Sequence, residues 1–540
     1  MKLFSRFSLL LLAAVLLLSA GCVKPQEPTD EVIVSGDAYK AAEIPDDNNR
    51  VFYEIFVGSF SDSNGDGIGD LRGIINRMDY LNDGKPDSGL SLGIEGIWLT
   101  PIFASNSYHK YNVNDFYKVD PQFGTKDDLV ELITLCHERG VKLILDLPIN
   151  HTSRQCEWFQ KFKAAHQSGD VSNSFYNFYS WYDKNTDRAP GGRTFSQLTG
   201  SHYYECNFDG DMPELNFDSE QVRSAVLEIA KYYLDLGIDG FRFDAAKYIY
   251  FGDNPSSSEF WIWYLKELRK INPDVYTVAE VWDSDGVTDI YYPATNCFDF
   301  TMAGSSGIIA QTANRGDVNR LATYVESYLK KVQSLRSSAT IVPFIANHDS
   351  DRAAGYLLTA NGTMQMAANL YLLGPGSPFI YYGEEIGMRG SRGSANTDAN
   401  RRLAMVWGDE DTVRDPQGTT YASSSQITST VVDQKLDESS LYTYYKKLLM
   451  IRRANPEIAH GTYTALKSDG TKLGGFEATY NGSTVLVLHN TAWESKTIDL
   501  STRTDRVPSA LRAVIGAEDA TLSGTTLTIG AQTSVVIACK

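Results

Sequence analysis

Short apolar runs recur along the chain at residues 51–56, 94–99, 142–147, 239–243, 275–279, 297–300, 341–346 and 378–382. Most are continuous rather than alternating, as strands buried on both faces of a parallel sheet require. Amphipathic stretches at helical spacing fill the intervals, among them 125–139, 219–236, 258–271 and 318–335. This alternation predicts an α/β fold, a (β/α)8 TIM barrel spanning 48–150 and 218–460. The competing open, doubly wound sheet lacks its Gly-rich phosphate loop after the first run. One interval is too long for a barrel loop. Residues 151–217 are polar, rich in tyrosine and without clear helical period, and predict a subdomain inserted after strand 3 over the barrel mouth. Beyond residue 460, short β-rich runs broken by Gly, Asn, Ser and Thr predict a C-terminal antiparallel β-sandwich over 461–540.

A chain of 540 residues accommodates several such units, and a hydrophobic content of 42% excludes wholesale disorder. Its net charge of −18 argues against binding nucleic acid or an anionic membrane by general electrostatics. The front of the chain is different. Lys2 and Arg6 precede a short apolar run closed by Ser19, Ala20, Gly21 and Cys22, the plan of a secretory signal over 1–21. That run is shorter than the roughly 20 residues a membrane span needs. Leu18 to Cys22 also resembles the bacterial lipobox, which implies a lipid on Cys22 and an exported, membrane-anchored lipoprotein at the outer membrane or cell surface. Residues 22–47, containing Pro, Asp and Glu, then read as an acidic tether. An acylated Cys22 leaves Cys136, Cys156, Cys206, Cys297 and Cys539, an odd number; pairing of Cys156 with Cys206 stays open. Nothing in the sequence specifies an oligomeric state.

The chemistry sits at the strand ends. The third run ends in Asp146 with Asn150 and His151 just beyond; the fourth leads through Arg242 to Asp244; the fifth leads to Glu280; the seventh to His348 and Asp349. A helix cap or surface ion pair explains any one acid. Four of them at the C-terminal ends of barrel strands are harder to dismiss, because active residues gather there. Crowded carboxylates raise one another's pKa, which general acid catalysis requires. A carboxylate nucleophile, a protonated carboxyl and a stabilising partner suffice for glycoside chemistry, with a hydrogen-bonded Arg holding the nucleophile ionised. Zinc hydrolysis is the competitor, but no His-Glu-x-x-His or paired-Cys spacing supports it.

These motifs, in this order, resemble the four signature regions of the α-amylase family of glycoside hydrolases: Asp146 to His151, Gly240 to Asp244, Glu280, and Phe344 to Asp349. Gly93 to Pro101, Met212 to Asn216 and Tyr381 to Glu385 are similar to that family as well. The resemblance implies Asp244 as nucleophile, Glu280 as general acid/base and Asp349 as transition-state stabiliser. It further implies substrate contacts from Tyr111, stacked beneath the sugar, and from His151, Arg242, Lys247 and His348. The implied substrate is an α-glucan, starch or maltooligosaccharides, cut at α-1,4 bonds with net retention. Neopullulanase, oligo-α-glucosidase and α-glucan transglycosylase stay open as alternatives, as does an inactive carbohydrate-binding protein, although every catalytic carboxylate is present. Tyr248 after Lys247, Lys110 in Tyr108-His-Lys-Tyr-Asn112, and Leu403-Ala404 after Arg402 depart from common family patterns and bear on substrate preference.

A second acidic cluster follows the first run. Asp62, Asn64, Asp66, the Ile68 carbonyl and Asp70 present oxygens at positions 1, 3, 5, 7 and 9 of a loop with Gly67 at position 6, like the first part of a calcium loop. Gly73 stands where an EF-hand carries its bidentate Glu, so the loop is not an EF-hand. Like charges packed this closely predict a bound Ca2+. Among aromatic residues, Trp98 reads as core, whereas Trp158, Trp181 and Tyr182 of the insert read as candidate sugar platforms.

Overall fold

A computed structural model describes residues 49–85, 88–358, 362–467, 470 and 472–540. The signal segment, the tether and Cys22 lie outside the described residues. Among those described, no helix is long and apolar enough to cross a membrane.

Seven parallel strands form the central sheet: β1 (Phe52–Ile55), β2 (Gly96–Leu99), β3 (Lys142–Leu147), β4 (Gly240–Phe243), β5 (Tyr276–Ala279), β6 (Asn296–Cys297) and β7 (Phe379–Tyr381). They run in the spatial order β6-β5-β4-β3-β2-β1-β7. In-register partners include Phe52 with Gly96, Trp98 with Ile144, and Arg242 with both Asp146 and Val278. The run at 341–346 closes the ring without becoming a regular strand. Val342 bridges Phe298 in parallel, and the Ile341 and Pro343 carbonyls accept from Ser377 and Phe379 N–H groups at 3.0 Å. Pro343 has no N–H to give, which interrupts the ladder at this barrel position.

Inside the barrel, Phe52, Trp98, Ile144, Tyr276, Val278, Phe298, Phe344 and Phe379 form a buried cluster of their own. Gly96 makes room for it: a Cβ there would lie 2.4 Å from the Phe52 ring. Trp98, 1% exposed, is core as its strand position predicts. Outside lie helices such as α1 (Lys126–Glu138), which starts at a Thr125–Asp128 capping box.

The insert contains a helix that its sequence pattern did not predict. α2 (Glu157–Ser168) buries Phe159, Phe162, Ala165 and His166. These are spaced for one helical face, but Cys156 at the N-cap makes no side-chain capping bond, so the usual start signal is missing. Phe159 packs edge-on against Tyr179 and Tyr204, beside an antiparallel sheet of Trp181–Asp183, His202–Glu205 and Phe195–Thr199. At the C-terminus, a five-stranded and a three-stranded antiparallel sheet enclose Leu486, Leu488, Leu527, Ile529, Val535 and Ile537. The cysteines at 136, 156, 206, 297 and 539 are all free thiols; Cys206 hydrogen-bonds Ser196 rather than pairing with Cys156.

Candidate active site

Polar residues at or just beyond the C-terminal ends of several barrel strands collect at one rim. β1 contributes Glu54, β3 Asp146, β4 Arg242 with Asp244 just past its end, the residue after β5 Glu280, and the irregular segment leads to His348 and Asp349. They open onto a cleft of about 610 Å³ lined by Asp244, Glu280 and Asp349 together with Tyr108, His109, Tyr111, His151, Lys247 and Arg402.

Arg242 organises the floor. It has no exposed surface and donates from Nη1 to Asp146 at 2.9 Å and to Asp244 Oδ1 at 2.6 Å. Its Nη2 lies 3.1 Å from Glu280 Oε2 but without hydrogen-bond geometry, leaving an ion-pair contact only. Glu280 Oε2 accepts instead from the Ala245 N–H at 3.0 Å. One guanidinium therefore bridges both carboxyls and binds them unequally. Burial raises the pKa of Glu280, with Asp244 and Asp349 adding to the rise and Arg242 opposing it. Burial likewise raises Asp244, against the charge and hydrogen bond of Arg242. Asp146, sealed beneath, is raised by burial to about 7.

His348 is the second organiser, and β1 holds it. Its Nδ1 lies 2.5 Å from Glu54 Oε1, and its Nε2 lies 2.7 Å from Tyr111 Oη and 3.0 Å from Asp349 Oδ2. Burial disfavours its charge, but Asp349 and Glu54 prevail and lift it to about 10. An imidazolium thus donates on both sides, and Tyr111 passes its own hydroxyl hydrogen to Asp146 at 2.8 Å. Asp349 is held well below the usual carboxylate range because His348 and Arg402 outweigh its burial. Arg402 donates to Asp349 at 2.7 Å, to the His348 carbonyl at 3.1 Å and to Tyr108 at 3.0 Å.

Of the sequence-predicted contacts, Asp244, Glu280, Asp349, Tyr111, His151 and Lys247 all line the cleft. Arg242 and His348 are fully buried and act on the residues that line it. His151 holds the Tyr111 carbonyl at 3.2 Å through Nε2, and burial lowers it to about 4. Lys247 Nζ is tied to the Trp282 carbonyl at 2.8 Å and to Asp283 at 3.0 Å. The expected platforms in the insert are packing residues: Trp181 contacts His166, Tyr176 and His202, Tyr182 contacts Phe195 and Tyr203, and Trp158 packs on Phe116 and Phe178. Besides Tyr108 and Tyr111, the aromatics lining the cleft are Phe208, Tyr248 and Trp282; Trp282 is 49% exposed and stacks on Phe300. Glu54 and His109 were not predicted. An acid within the apolar run 51–56 was the available signal for Glu54.

The loop after β1 holds Asp62, Asn64, Asp66, Ile68 and Asp70 differently. Asp62 accepts from the N–H groups of Asn64, Gly65 and Gly67 and from Thr412; Asn64 accepts from Asp66, and Asp66 from Ile68. Asp70 accepts from Ser63 and caps the next helix through Gly73 N–H at 2.6 Å. The donor set is all oxygen, the chemistry calcium takes. Its carboxylates face their own backbone, and among the described residues no three His, Cys, Asp or Glu side chains gather as a metal centre.

Paired carboxyls on one arginine, at the C-terminal rim of a parallel barrel and open to a cleft, define a glycoside hydrolase site. Residues 54–461 match the family described as alpha amylase, catalytic domain. The chain belongs to that family and is an α-amylase-type glycoside hydrolase. It is 34% identical over 448 residues to "Alpha-amylase 3" of Dictyoglomus thermophilum, covering 82% of this chain and 84% of that one. It is 28% identical over 521 residues to an "Oligo-1,6-glucosidase" of Bacillus cereus, covering 82% and 90%. Among solved structures, Eubacterium rectale Amy13B superimposes with a TM-score of 0.82 at 32% identity, covering 91% of this chain and 96% of that one.

Proposed function

We propose that the protein is a retaining α-amylase that hydrolyses α-1,4-glucosidic bonds in starch or maltooligosaccharides. The carrying observation is the Arg242 bridge, which grips Asp244 by a short hydrogen bond and Glu280 by charge alone. Asp244, hydrogen-bonded to the Arg242 guanidinium, attacks the anomeric carbon from below as its carboxylate. Glu280, kept protonated by burial and by its acidic neighbours, gives its proton to the departing oxygen. A glycosyl ester on Asp244 results. Glu280, now a carboxylate, takes a proton from water as that water displaces Asp244, and the configuration is retained. Asp349, presented by His348 and Arg402, accepts hydrogen bonds from sugar hydroxyls of the distorted ring.

We extend the proposal to the two features outside the cleft. The oxygen series from Asp62 to Asp70, with Gly65 and Gly67 at positive φ, supports a structural Ca2+ held by Asp62, Asn64, Asp66, Ile68 and Asp70. The segment ending at Cys22 supports a lipid anchor at the cell envelope, suited to a substrate too large to import.

The test is chromatography of products over time from soluble starch, maltoheptaose, pullulan and panose with calcium present. Early mixed oligosaccharides from starch, with pullulan untouched, are expected. Glucose alone from short substrates would move the assignment to an α-glucosidase, and panose from pullulan to a neopullulanase. No product from any of them would overturn it.

A further inference from the structure

Lys110 stands out on three independent grounds. Its φ is +64°, in the left-handed region that side-chain-bearing residues other than Asn and Asp avoid. Its side chain is only 2% exposed, although lysine is among the residues least often buried. And it sits between Tyr108, His109 and Tyr111, three residues that line the cleft, without lining the cleft itself. Backbone strain of this kind persists only where the surroundings over-determine it, and it clusters at functional sites.

The surroundings do over-determine it. The Lys110 ammonium lies 2.9 Å from Asp120 Oδ2, donates to Gln122 Oε1 at 2.7 Å and to the Ser105 carbonyl at 3.3 Å, and sits 5.2 Å from the Phe123 ring centroid. Asp120 is 3% exposed and its Oδ2 also accepts the Ser105 N–H at 2.9 Å. Phe123 in turn offers its carbonyl to Leu71, the first residue of the helix capped by Asp70. On the cleft side, the Lys110 N–H donates to Ser107 Oγ at 3.1 Å, and the Tyr111 N–H lies 3.1 Å from His109 Nδ1. A buried charge pair thus pins the centre of the cleft loop to the turn at 120–123, and Tyr108, His109 and Tyr111 on either side of it line the cleft.

We propose that Lys110 is a positioning residue: its buried ion pair with Asp120 fixes the sugar-facing wall formed by Tyr108, His109 and Tyr111, and through it the affinity for the glycosyl unit being cleaved. The proposal rests on the α-glucan hydrolase reading above. It assigns Lys110 no contact with substrate and no part in proton transfer.

Three variants separate a latch from a general prop. Lys110→Met leaves Asp120 buried without its cation. Lys110→Met with Asp120→Asn removes both charges and so the penalty of the orphaned one. Lys110→Gly relieves the left-handed backbone while abolishing the latch. Kinetics on maltoheptaose and thermal melting are read for each, with the wild type alongside. Loss of wall geometry is expected to raise KM about tenfold in all three, with kcat changed less and the pH dependence of kcat unmoved, as loss of binding made alike in ground and transition state does. The double variant is expected to recover melting temperature relative to Lys110→Met while its KM stays raised. Recovery of KM together with melting temperature would overturn the proposal, as would an unchanged KM in Lys110→Gly. A wild type inactive on every α-glucan would defeat the functional reading instead, a different failure visible in the control.

Discussion

The protein carries two acidic clusters within one barrel, and they are neutralised by opposite means. At the cleft, Asp146, Asp244, Glu280 and Asp349 come from different strand ends and share cationic side chains: Arg242, His348 and Arg402. In the loop from Asp62 to Asp70, neighbours in sequence are satisfied by N–H groups two to five residues away. Both arrangements depress a carboxyl. Asp349 is lowered by His348 and Arg402 against its burial, whereas Asp62 overcomes its burial through hydrogen bonds from Thr412 and three N–H groups. The difference lies in what is left over. Pairing with cationic side chains leaves Asp244 and Glu280 at raised pKa values facing a cleft; pairing with backbone N–H groups and Thr412 lowers Asp62 and turns its carboxylate onto its own loop.

The comparison breaks first at its centre. Asp244→Asn or Glu280→Gln should lower starch turnover by about 10³-fold or more while circular dichroism and melting temperature stay near wild type. Near-normal hydrolysis by purified Glu280→Gln would remove the acid/base role. Next in size is Glu54→Gln, which deprives buried His348 of one of its two carboxylates and should cost about 3 kcal/mol in denaturant unfolding. The same variant sharpens a pH argument. His348 has a folded pKa of about 10 against the ordinary 6.5, so its stabilisation is complete below pH 6.5 and is lost as pH rises toward 10. Wild-type stability should decline over that window, and the decline should flatten in Glu54→Gln. Depressed Asp349 acts at the other end: its contribution is present above about pH 4 and disappears as pH falls through its lower folded value.

Activity itself should follow a bell whose acid limb reports ionisation of Asp244 and whose alkaline limb reports loss of the Glu280 proton, both above the ordinary values of 3.8 and 4.5. Glu280→Gln should erase the alkaline limb in whatever residual activity remains. The smallest effects belong to the loop. On the proposed Ca2+ assignment, a chelator should lower the melting temperature by a few degrees, consistent with about 2.7 kcal/mol of linkage at a hundredfold excess of ion over Kd. An unchanged melt would leave the loop as a self-satisfied turn. Asp66→Ala without calcium should cost only about 0.5 kcal/mol, because its bond to the Ile68 N–H is exposed.

Much of this was legible from residue order alone. A barrel strand needs an apolar run, and a barrel active site needs polar residues just past it, so Asp146, Asp244, Glu280 and Asp349 announced themselves by position. The irregular segment at 341–346 did not, because whether Pro343 breaks a ladder depends on which neighbour needs its missing N–H. α2 escaped because its N-cap is Cys156, which carries no capping oxygen. Lys110 is visible as a letter, but its burial and backbone angle are products of the fold. The insert's tryptophans misled because an aromatic that packs on its neighbours and one that lines a cleft look alike in sequence; only the fold separates Trp181 from Trp282.

The five free thiols carry a practical corollary. With no cross-link among the described residues, assembly calls for no oxidant, and material made in a reducing host should match material made in an oxidising one. Burial lifts Cys136 and Cys297 far from thiolate formation, so both should ignore thiol reagents until the chain unfolds. Cys539, half-buried on the last strand, is the natural attachment point for a single label, one far along the chain from the cleft residues.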